Sequence, residues 1–186
     1  MEKISSAIYI DTHCHLDASD YDADRPEVLA RAKAAGVAKV LNPGIGRGNL
    51  RRVVEFARQY EPIYAGVGIH PHAAAELNKD TVAELRELAA EPKVRALGEI
   101  GLDYYPRYLE QTPAQIQRPA FEAQLALAAD LDLPVIVHCR EAFPDTLAMM
   151  KPWAGKVRGV FHCFSGTVSD VENALALGLH VSFTGP

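Results

Sequence analysis

The chain has 186 residues, 48% of them hydrophobic, so it can bury a sizeable core, and we expect one domain over 1–186. Its formal net charge of −5 at pH 7 excludes a uniformly basic surface, so binding of a polyanion would depend on a few arginines or on bound metal. We find no signal-peptide pattern and no run long enough to cross a membrane, and three cysteines do not suggest a disulfide framework. We therefore predict a cytoplasmic protein without a membrane partner.

Short apolar runs alternate with helical patterns along the chain. Seven runs are predicted to be strands, the first of them buried: 7–10, 37–41, 63–69, 94–100, 134–138, 157–161 and 180–183. Six segments are predicted to be helices: 24–35, 48–60, 81–90, 119–130, 143–150 and 168–177. Asp24 and Thr81 begin capping-box patterns, and Pro119 is expected in the first turn of its helix. Strands that alternate with helices in this way predict a parallel sheet.

Such a sheet is either an open doubly wound sheet or a closed (β/α)₈ barrel. No glycine-rich fingerprint follows the first strand, which argues against the nucleotide-binding form of the open sheet. Polar residues at the carboxyl ends of successive strands favour the barrel, whose active site lies there. We therefore predict an α/β TIM-type barrel with seven of its eight strands present, cut short by about one strand and its flanking helices.

Four histidines and one glutamate lie at predicted strand ends. His13 and His15 follow the first strand, and alternation would place both rings on one face, where two imidazoles can chelate a divalent metal. Glu99 lies in the fourth strand between Gly98 and Gly101, which leave room beside a carboxylate that is costly to bury unpaired. The fifth and sixth strands end at the remaining two histidines, His138 and His162. Five ligands exceed the needs of one tetrahedral ion, so two ions that share Glu99 are the economical interpretation.

Five segments, in this order along the whole chain, closely resemble the TatD family of metal-dependent deoxyribonucleases: DTHCHLD at 11–17, GIHP at 68–71, GEIGLDYY at 98–105, PVIVH at 134–138 and HCFSG at 162–166. The resemblance implies a TIM-type barrel of the amidohydrolase kind. It also implies that His13 and His15 hold one ion, that His138 and His162 hold the other, and that Glu99 contacts both as a catalytic residue. The implied reaction is hydrolysis of phosphodiester bonds in DNA by a water that two divalent ions, zinc, magnesium or manganese, activate.

The family pattern continues with a strand-eight motif of the Glu-Thr-Asp-Ala-Pro kind, whose aspartate is a metal ligand. The printed sequence stops before it, so we expect two open sheet edges, and activity of this polypeptide is a separate question from family membership. The alternatives are another amidohydrolase-type hydrolase, acting on a carbonyl ester or on aminoacyl-tRNA, and a barrel that binds metal without turnover.

Several other polar residues are candidates for the site. His70, at the third strand end, is predicted to contact a phosphate oxygen, and Arg140 either clamps a phosphate or forms a surface ion pair. Tyr104 and Tyr105 either stack on a base of single-stranded substrate or pack over the barrel mouth.

Four further residues receive mainly structural interpretations. Asp17 and Asp103 either orient ligand histidines or cap turns. His72 is not expected to pair with His70, because Pro71 breaks the alternation, and His180 is expected to be structural. The cysteines Cys14, Cys139 and Cys163 each adjoin a candidate ligand histidine, so we expect them to be small buried residues that face away from the metals.

Overall fold

The computed structural model describes residues 7–184, so residues 1–6 and 185–186 of the predicted domain over 1–186 lie outside the described residues, and the single domain stays a prediction. Within residues 7–184, seven strands form one sheet: β1 Tyr9–Asp11, β2 Val37–Pro43, β3 Ile63–Val67, β4 Val94–Asp103, β5 Val135–Arg140, β6 Gly159–Phe161 and β7 Leu179–Val181. Every strand pairs in parallel with the next one along the chain, in the order β1 to β7. This curled parallel sheet with helical crossovers confirms the predicted α/β TIM-type fold with seven strands.

Helices connect the strands: α1 Arg25–Ala34, α2 Leu50–Gln59, α3 Lys79–Ala89, α4 Pro106–Leu109, α5 Ala114–Leu131, α6 Phe143–Met150 and α7 Val168–Ala176. Short 3₁₀ turns cover Ser19–Tyr21, Arg47–Asn49, Pro71–Glu76 and Lys151–Trp153. The predicted apolar face of α2 is confirmed, because Leu50, Val53 and Ala57 are fully buried. No helix within residues 7–184 is long and apolar enough to cross a membrane.

One predicted side-chain cap and two predicted helix starts are wrong. Asp24 makes no side-chain cap, although α1 begins directly after it. α3 begins two residues before Thr81, because the Asn78 side chain accepts hydrogen bonds from the amides of Asp80 and Thr81 and is the real cap. α5 begins at Ala114, and Pro119 lies inside it instead of in its first turn. For α3 and α5, residues before the predicted start cap the helix or begin it earlier than the sequence pattern indicated.

The core lies between the central strands and their helices. β3, β4 and β5 are covered on both faces, and apart from Arg95 every residue of β4 is buried. β1 contradicts the prediction of a buried first strand, because Tyr9 and Ile10 are 53% and 61% exposed. In the described part of the chain, β1 has only β2 as a neighbour, so its other edge is uncovered.

Candidate metal-binding and active site

β4 carries two carboxylates to the centre of the molecule. It extends to Asp103, past the predicted end at residue 100, so Glu99 and Asp103 lie four residues apart in one strand. Residues that are an even number apart in a strand point to the same face. Glu99 is 5% exposed and Asp103 is fully buried. The strand therefore brings two buried negative groups to one face.

Two glycines let β5 approach this part of β4. Gly98 and Gly101 have φ of +147° and +143°, where a residue with a side chain is strained. A Cβ at Gly98 would lie 2.7 Å from the carbonyl oxygen of Ile136, and one at Gly101 would overlap the carbonyl oxygen of His138. The predicted room beside Glu99 is thus occupied by the β5 backbone, which carries His138.

Five imidazoles surround the Glu99 carboxylate. Its Oε1 lies 2.6 Å from His162 Nε2, 2.9 Å from His138 Nδ1 and 3.5 Å from His70 Nε2. Its Oε2 lies 3.4 Å from His13 Nε2 and 3.6 Å from His15 Nε2. The four histidines predicted as metal ligands therefore converge on Glu99. His13 and His15 reach Glu99 from the loop after β1, because that strand ends at Asp11.

The close approach of these donor atoms is better satisfied by a bound cation than by hydrogen bonds between the donors themselves. His13 Nε2 lies 3.2 Å from His15 Nε2, and His138 Nδ1 lies 3.3 Å from His162 Nε2. At most one nitrogen of each pair can point a proton at the other, so imidazole lone pairs and carboxylate oxygens face one another at close range. One nitrogen or oxygen from each of His13, Glu99 and His162 lies within 4.8 Å of the others. A set of imidazole nitrogens and carboxylate oxygens is suited to bind divalent metal ions.

The charge balance in the metal-free cluster follows from burial and hydrogen bonding. Burial alone would raise the pKa of Glu99, but hydrogen bonds from the histidines hold it well below its usual range, so the group is ionised. The hydrogen bond to Glu99 raises the pKa of His15 against the effect of burial. For His162, burial outweighs the attraction of Glu99 and lowers the pKa. Glu99 therefore carries a negative charge that a cation can neutralise.

Asp103 orients His138. Its Oδ2 lies 3.0 Å from His138 Nε2, and its Oδ1 accepts a hydrogen bond from the Tyr105 amide at 2.9 Å. Burial works against ionisation of Asp103, but hydrogen bonds from His138 and Tyr105 lower its pKa to about 2. An ionised Asp103 accepts a hydrogen bond from Nε2 of His138, so a neutral His138 has its lone pair on Nδ1, whereas a protonated His138 also donates from Nδ1 to Glu99. Both interpretations offered for Asp103, histidine orientation and turn capping, therefore hold.

The hydrogen bonds of His70 place its proton on the ring nitrogen that faces Glu99. Its Nδ1 accepts a hydrogen bond of 3.1 Å from the His72 amide, so a neutral His70 carries its proton on Nε2, which faces Glu99. Burial lowers the pKa of His70 to about 4, so the ring is neutral near pH 7. His70 can therefore donate a hydrogen bond into the site, whereas a metal ligand would need a free lone pair on that atom.

The expectation that His70 and His72 do not form a chelate pair stays a prediction, although the two rings lie close together. One nitrogen from each of His70, His72 and His138 lies within 4.8 Å of the others, and His72 Nε2 lies 2.8 Å from Asp103 Oδ2. Strand alternation does not place these two rings, because β3 ends at Val67, and His72 lies in the 3₁₀ turn Pro71–Glu76 instead of on an extended strand.

Two buried glutamines of α5 hold the strand ends and were missed in the sequence. Gln117 accepts a hydrogen bond from the Asp103 amide at 2.7 Å and donates to the Asp103 carbonyl at 2.8 Å. Gln124 forms the same pair of bonds with the backbone of Ile69, next to His70, at 2.7 and 3.0 Å. Their seven-residue spacing, on a face that also buries Phe121 and Leu125, was the available signal.

Asp17 serves the loop between β1 and α1. Its amide donates to Asn42 Oδ1 at 3.1 Å, and Asn42 Nδ2 donates to Asp17 Oδ1 at 2.9 Å. The Arg52 guanidinium donates to the Asp17 carbonyl oxygen. Asp17 therefore attaches the segment that follows His13 and His15 to β2 and α2 by long-range hydrogen bonds, and these bonds do not cap a local turn. Asn42, buried at the end of β2, was not recognised from the sequence.

The two tyrosines after β4 differ. Tyr104 donates its hydroxyl proton to Asp145 at 2.8 Å and accepts from Arg118 Nε at 2.9 Å, which ties it to neighbouring helices and favours the packing interpretation. Tyr105 is 37% exposed, and the Arg140 guanidinium carbon lies 4.1 Å from its ring centroid. Within residues 7–184, no carboxylate lies within ion-pair distance of Arg140, so the surface ion-pair alternative does not apply there.

The prediction for the cysteines is right in part. Cys139 is buried, Cys14 is half-buried, and burial raises the pKa of each thiol to about 11. Cys163 is exposed, contrary to expectation, because the chain has already left β6 and turns there with φ of 48°. His180 lies in β7 with its side chain exposed, away from the cluster.

One cavity adjoins Glu99, and a second adjoins His138 and His162. The first, of about 440 Å³, is lined by Ile45, Gly46, His70, His72, Ala73 and Glu99. The second, of about 350 Å³, is lined by His138, Cys139, Arg140, His162, Cys163 and Ser165. Two larger cavities lie against the outer helices and have mainly alkyl linings, so chemistry and not volume locates the site.

A TIM-type α/β fold with a buried carboxylate inside a ring of histidines at the strand ends defines a metal-dependent hydrolase. The family model "TatD related DNase" matches residues 10–186. The chain therefore belongs to the family of TatD-related DNases.

Individual relatives agree with this assignment. The chain is 43% identical over 176 residues to a 3'-5' ssDNA/RNA exonuclease TatD of Cronobacter sakazakii, a match that covers 94% of this chain and 66% of that protein. It is 38% identical over 177 residues to the uncharacterized metal-dependent hydrolase YabD of Bacillus subtilis, which covers 95% and 68% of the two chains. The crystal structure of YJJV, a TatD homolog from Escherichia coli, superposes with a TM-score of 0.85 at 32% identity, covering 96% and 68%. The chain thus spans about two thirds of the length of these relatives.

Proposed function

We propose that this protein is a metal-dependent hydrolase that cleaves phosphodiester bonds in DNA. The observation that carries the proposal is the buried Glu99 carboxylate, which has nitrogens of five histidines within 3.6 Å. Membership of the TatD-related DNases supports the same reaction, and the Cronobacter relative is named for action on single-stranded DNA and RNA. A cytoplasmic location stays a prediction from the sequence.

The donor set divides between two divalent ions. In the proposal, His13 and His15 would hold one ion, His138 and His162 would hold the other, and Glu99 would contribute to both sites. Two ions, when bound, lower the pKa of a water molecule and neutralise charge that develops on the phosphate. The protein fixes the ligand rings: Asp103 holds the Nε2 proton of His138, and the Asp17–Asn42 pair holds the loop of His13 and His15. Zinc, magnesium and manganese all remain compatible with these ligands.

Substrate contacts are assigned to His70 and Arg140. His70 presents a neutral Nε2–H toward the cluster and can donate it to a phosphate oxygen. Arg140 has no carboxylate partner within residues 7–184, so its guanidinium is available for a phosphate. These two donors give an acidic chain a local means to bind a polyanion.

The test combines metal content with hydrolysis of a phosphodiester. We expect about two ions per chain by elemental analysis and metal-dependent release of nucleotides from DNA. Glu99→Gln should lose bound metal and reduce hydrolysis by at least about 100-fold, because a neutral amide cannot balance two cations. Glu122→Gln changes an exposed carboxylate of α5 and is the matched control, with both readouts unchanged.

The outcomes separate the alternatives. About two ions per chain with no phosphodiester hydrolysis would reject the nuclease and leave a barrel that binds metal without turnover. Hydrolysis of aminoacyl esters but not of DNA would favour the other amidohydrolase-type activity. If Glu99→Gln retained full metal content, the cluster described above would not be the metal site.

A further inference from the structure

A layered group of aromatic and cationic side chains lies beside the histidine cluster. The Arg140 guanidinium carbon is 4.1 Å from the ring centroid of Tyr105 and 5.9 Å from that of Tyr108. The Tyr105 and Tyr108 centroids are 6.1 Å apart, and the Arg107 guanidinium carbon lies 5.8 Å from the Tyr108 centroid. We call Tyr105, Tyr108, Arg107 and Arg140 the aromatic platform. Two guanidinium groups on two phenol rings make it locally cationic in a chain of net charge −5.

The platform is connected directly to the site. The Tyr105 amide donates to Asp103, and Arg140 follows His138 by two residues on β5. The Tyr108 ring stacks on the His72 ring, with centroids 3.8 Å apart and planes 22° apart. A phosphate at the histidine cluster would therefore have the platform as its neighbour along a nucleic-acid strand.

Packing of the fold does not account for the platform. Tyr105 is 37% exposed and Arg140 is exposed, whereas Tyr104, the adjacent tyrosine, is tied to Asp145 and Arg118. A guanidinium placed over an aromatic ring can still offer its N–H groups to a phosphate. Tyr105 and Arg140 thus offer two binding modes at one place.

We propose that Tyr105 and Arg140 form a nucleobase site, in which a base next to the scissile phosphate continues the Tyr105–Arg140 stack and its own phosphate pairs with the Arg140 edge. This inference rests on the proposed phosphodiesterase function. It adds that Tyr105 and Arg140 recognise a base of the nucleic-acid substrate. Stacking on an aromatic ring needs a base with a free face, so the site takes single-stranded ends and not a base enclosed in a duplex.

The experiment measures binding without turnover. The probe is a short fluorescent oligothymidine with phosphorothioate linkages, titrated with protein in Mg²⁺ and followed by anisotropy, beside the same probe with its 3′-terminal base replaced by an abasic sugar. Tyr105→Leu should weaken binding of the complete probe about tenfold, and Tyr105→Phe, which keeps the ring, should stay within about twofold. Neither variant should change binding of the abasic probe. Arg140→Gln should weaken both probes, because it removes the phosphate contact.

Equal loss on both probes for Tyr105→Leu, or equal loss for Tyr105→Phe, would overturn the proposal and leave Tyr105 as a structural residue at the start of α4. Melting temperature and circular dichroism of each variant identify a folding defect, in which case Tyr105→Phe and Arg140→Gln still decide. If the wild-type protein shows ring-dependent binding but no hydrolysis of unmodified DNA, the nucleobase site stands and the proposed nuclease function fails. If it hydrolyses DNA with identical binding by Tyr105→Leu, the function stands and the nucleobase site fails.

Discussion

At the scale of single residues, the hydrogen-bond partner of one ring nitrogen decides what the other can do. His138 donates a hydrogen bond from Nε2 to Asp103, so that a neutral His138 has its lone pair on Nδ1. His70 uses Nδ1 as an acceptor and so presents a proton at Nε2. Both rings lie against the same carboxylate oxygen, yet one is suited to bind metal and the other to donate a hydrogen bond.

His70→Asn tests this difference. Asn is too short to reach Glu99 but can still accept from the His72 amide, so the turn that follows β3 should remain intact. We expect metal content to be unchanged and kcat on DNA to fall about 100-fold, the effect of removing one donor to a developing negative charge. His180→Asn, on the exposed side of β7, is the control. A parallel loss of metal would instead make His70 a ligand.

At the scale of secondary-structure elements, the contact between β4 and β5 determines the site. β4 contributes Glu99 and Asp103, β5 contributes His138 and Arg140, and the pairing shifts register between Leu97 and Ile100. The glycines at 98 and 101 allow this irregular pairing, because each adopts a φ that disfavours a side chain and faces the β5 backbone.

Gly101→Ala should therefore displace β5. The added methyl group would overlap the His138 carbonyl oxygen, and the residue would also be strained at φ of +143°. We expect a destabilisation of about 2–4 kcal/mol in the free energy of unfolding, measured by urea titration, together with loss of metal. Gly48→Ala meets nothing within 4 Å and should be neutral. Equal stability of the two variants would show that β5 can move without cost.

At the scale of the whole molecule, the cluster joins parts of the sheet that are far apart in strand order. His13 follows β1 and His162 follows β6, yet their rings stack with centroids 4.0 Å apart. The sheet therefore curls until the segments after β1 and β6 meet. Ions held between His13 and His162 would link these two parts of the sheet.

Metal should consequently raise the melting temperature, and more so as pH rises. An ion at 100 times its dissociation constant adds about 2.7 kcal/mol, or about 5–10 °C for a chain of this size. In the metal-free protein the pKa values of His15 and His138 are raised above 6.5 by Glu99 and Asp103, for His138 against the effect of burial. Their stabilisation is complete below the unfolded value and is lost as pH rises through the folded value.

Metal, in contrast, needs these imidazoles deprotonated, so its affinity increases with pH. Differential scanning fluorimetry with added metal and with EDTA should thus give a larger difference at about pH 8 than at about pH 6. A difference that shrinks as pH rises would contradict imidazole ligation.

The sequence by itself determined the architecture and the chemical type of the site. Short continuous apolar runs between helical segments were enough for the seven strands, because a parallel sheet covered on both faces demands that pattern. Glu99, His138 and His162 were recognised because polar residues at the ends of apolar strands have few explanations other than a site.

The tertiary structure alone decided which polar groups meet and in which state. The role of His72 depended on a 3₁₀ turn that breaks the strand pattern, and Gln117 and Gln124 look like ordinary helix residues until their partners on β4 and near the end of β3 are known. Local sequence sets strand and helix periodicity, whereas ring tautomers and buried hydrogen bonds depend on atoms from distant segments. For that reason the metal-binding chemistry was readable in the sequence, and the division between ligand, proton donor and positioning residue was not.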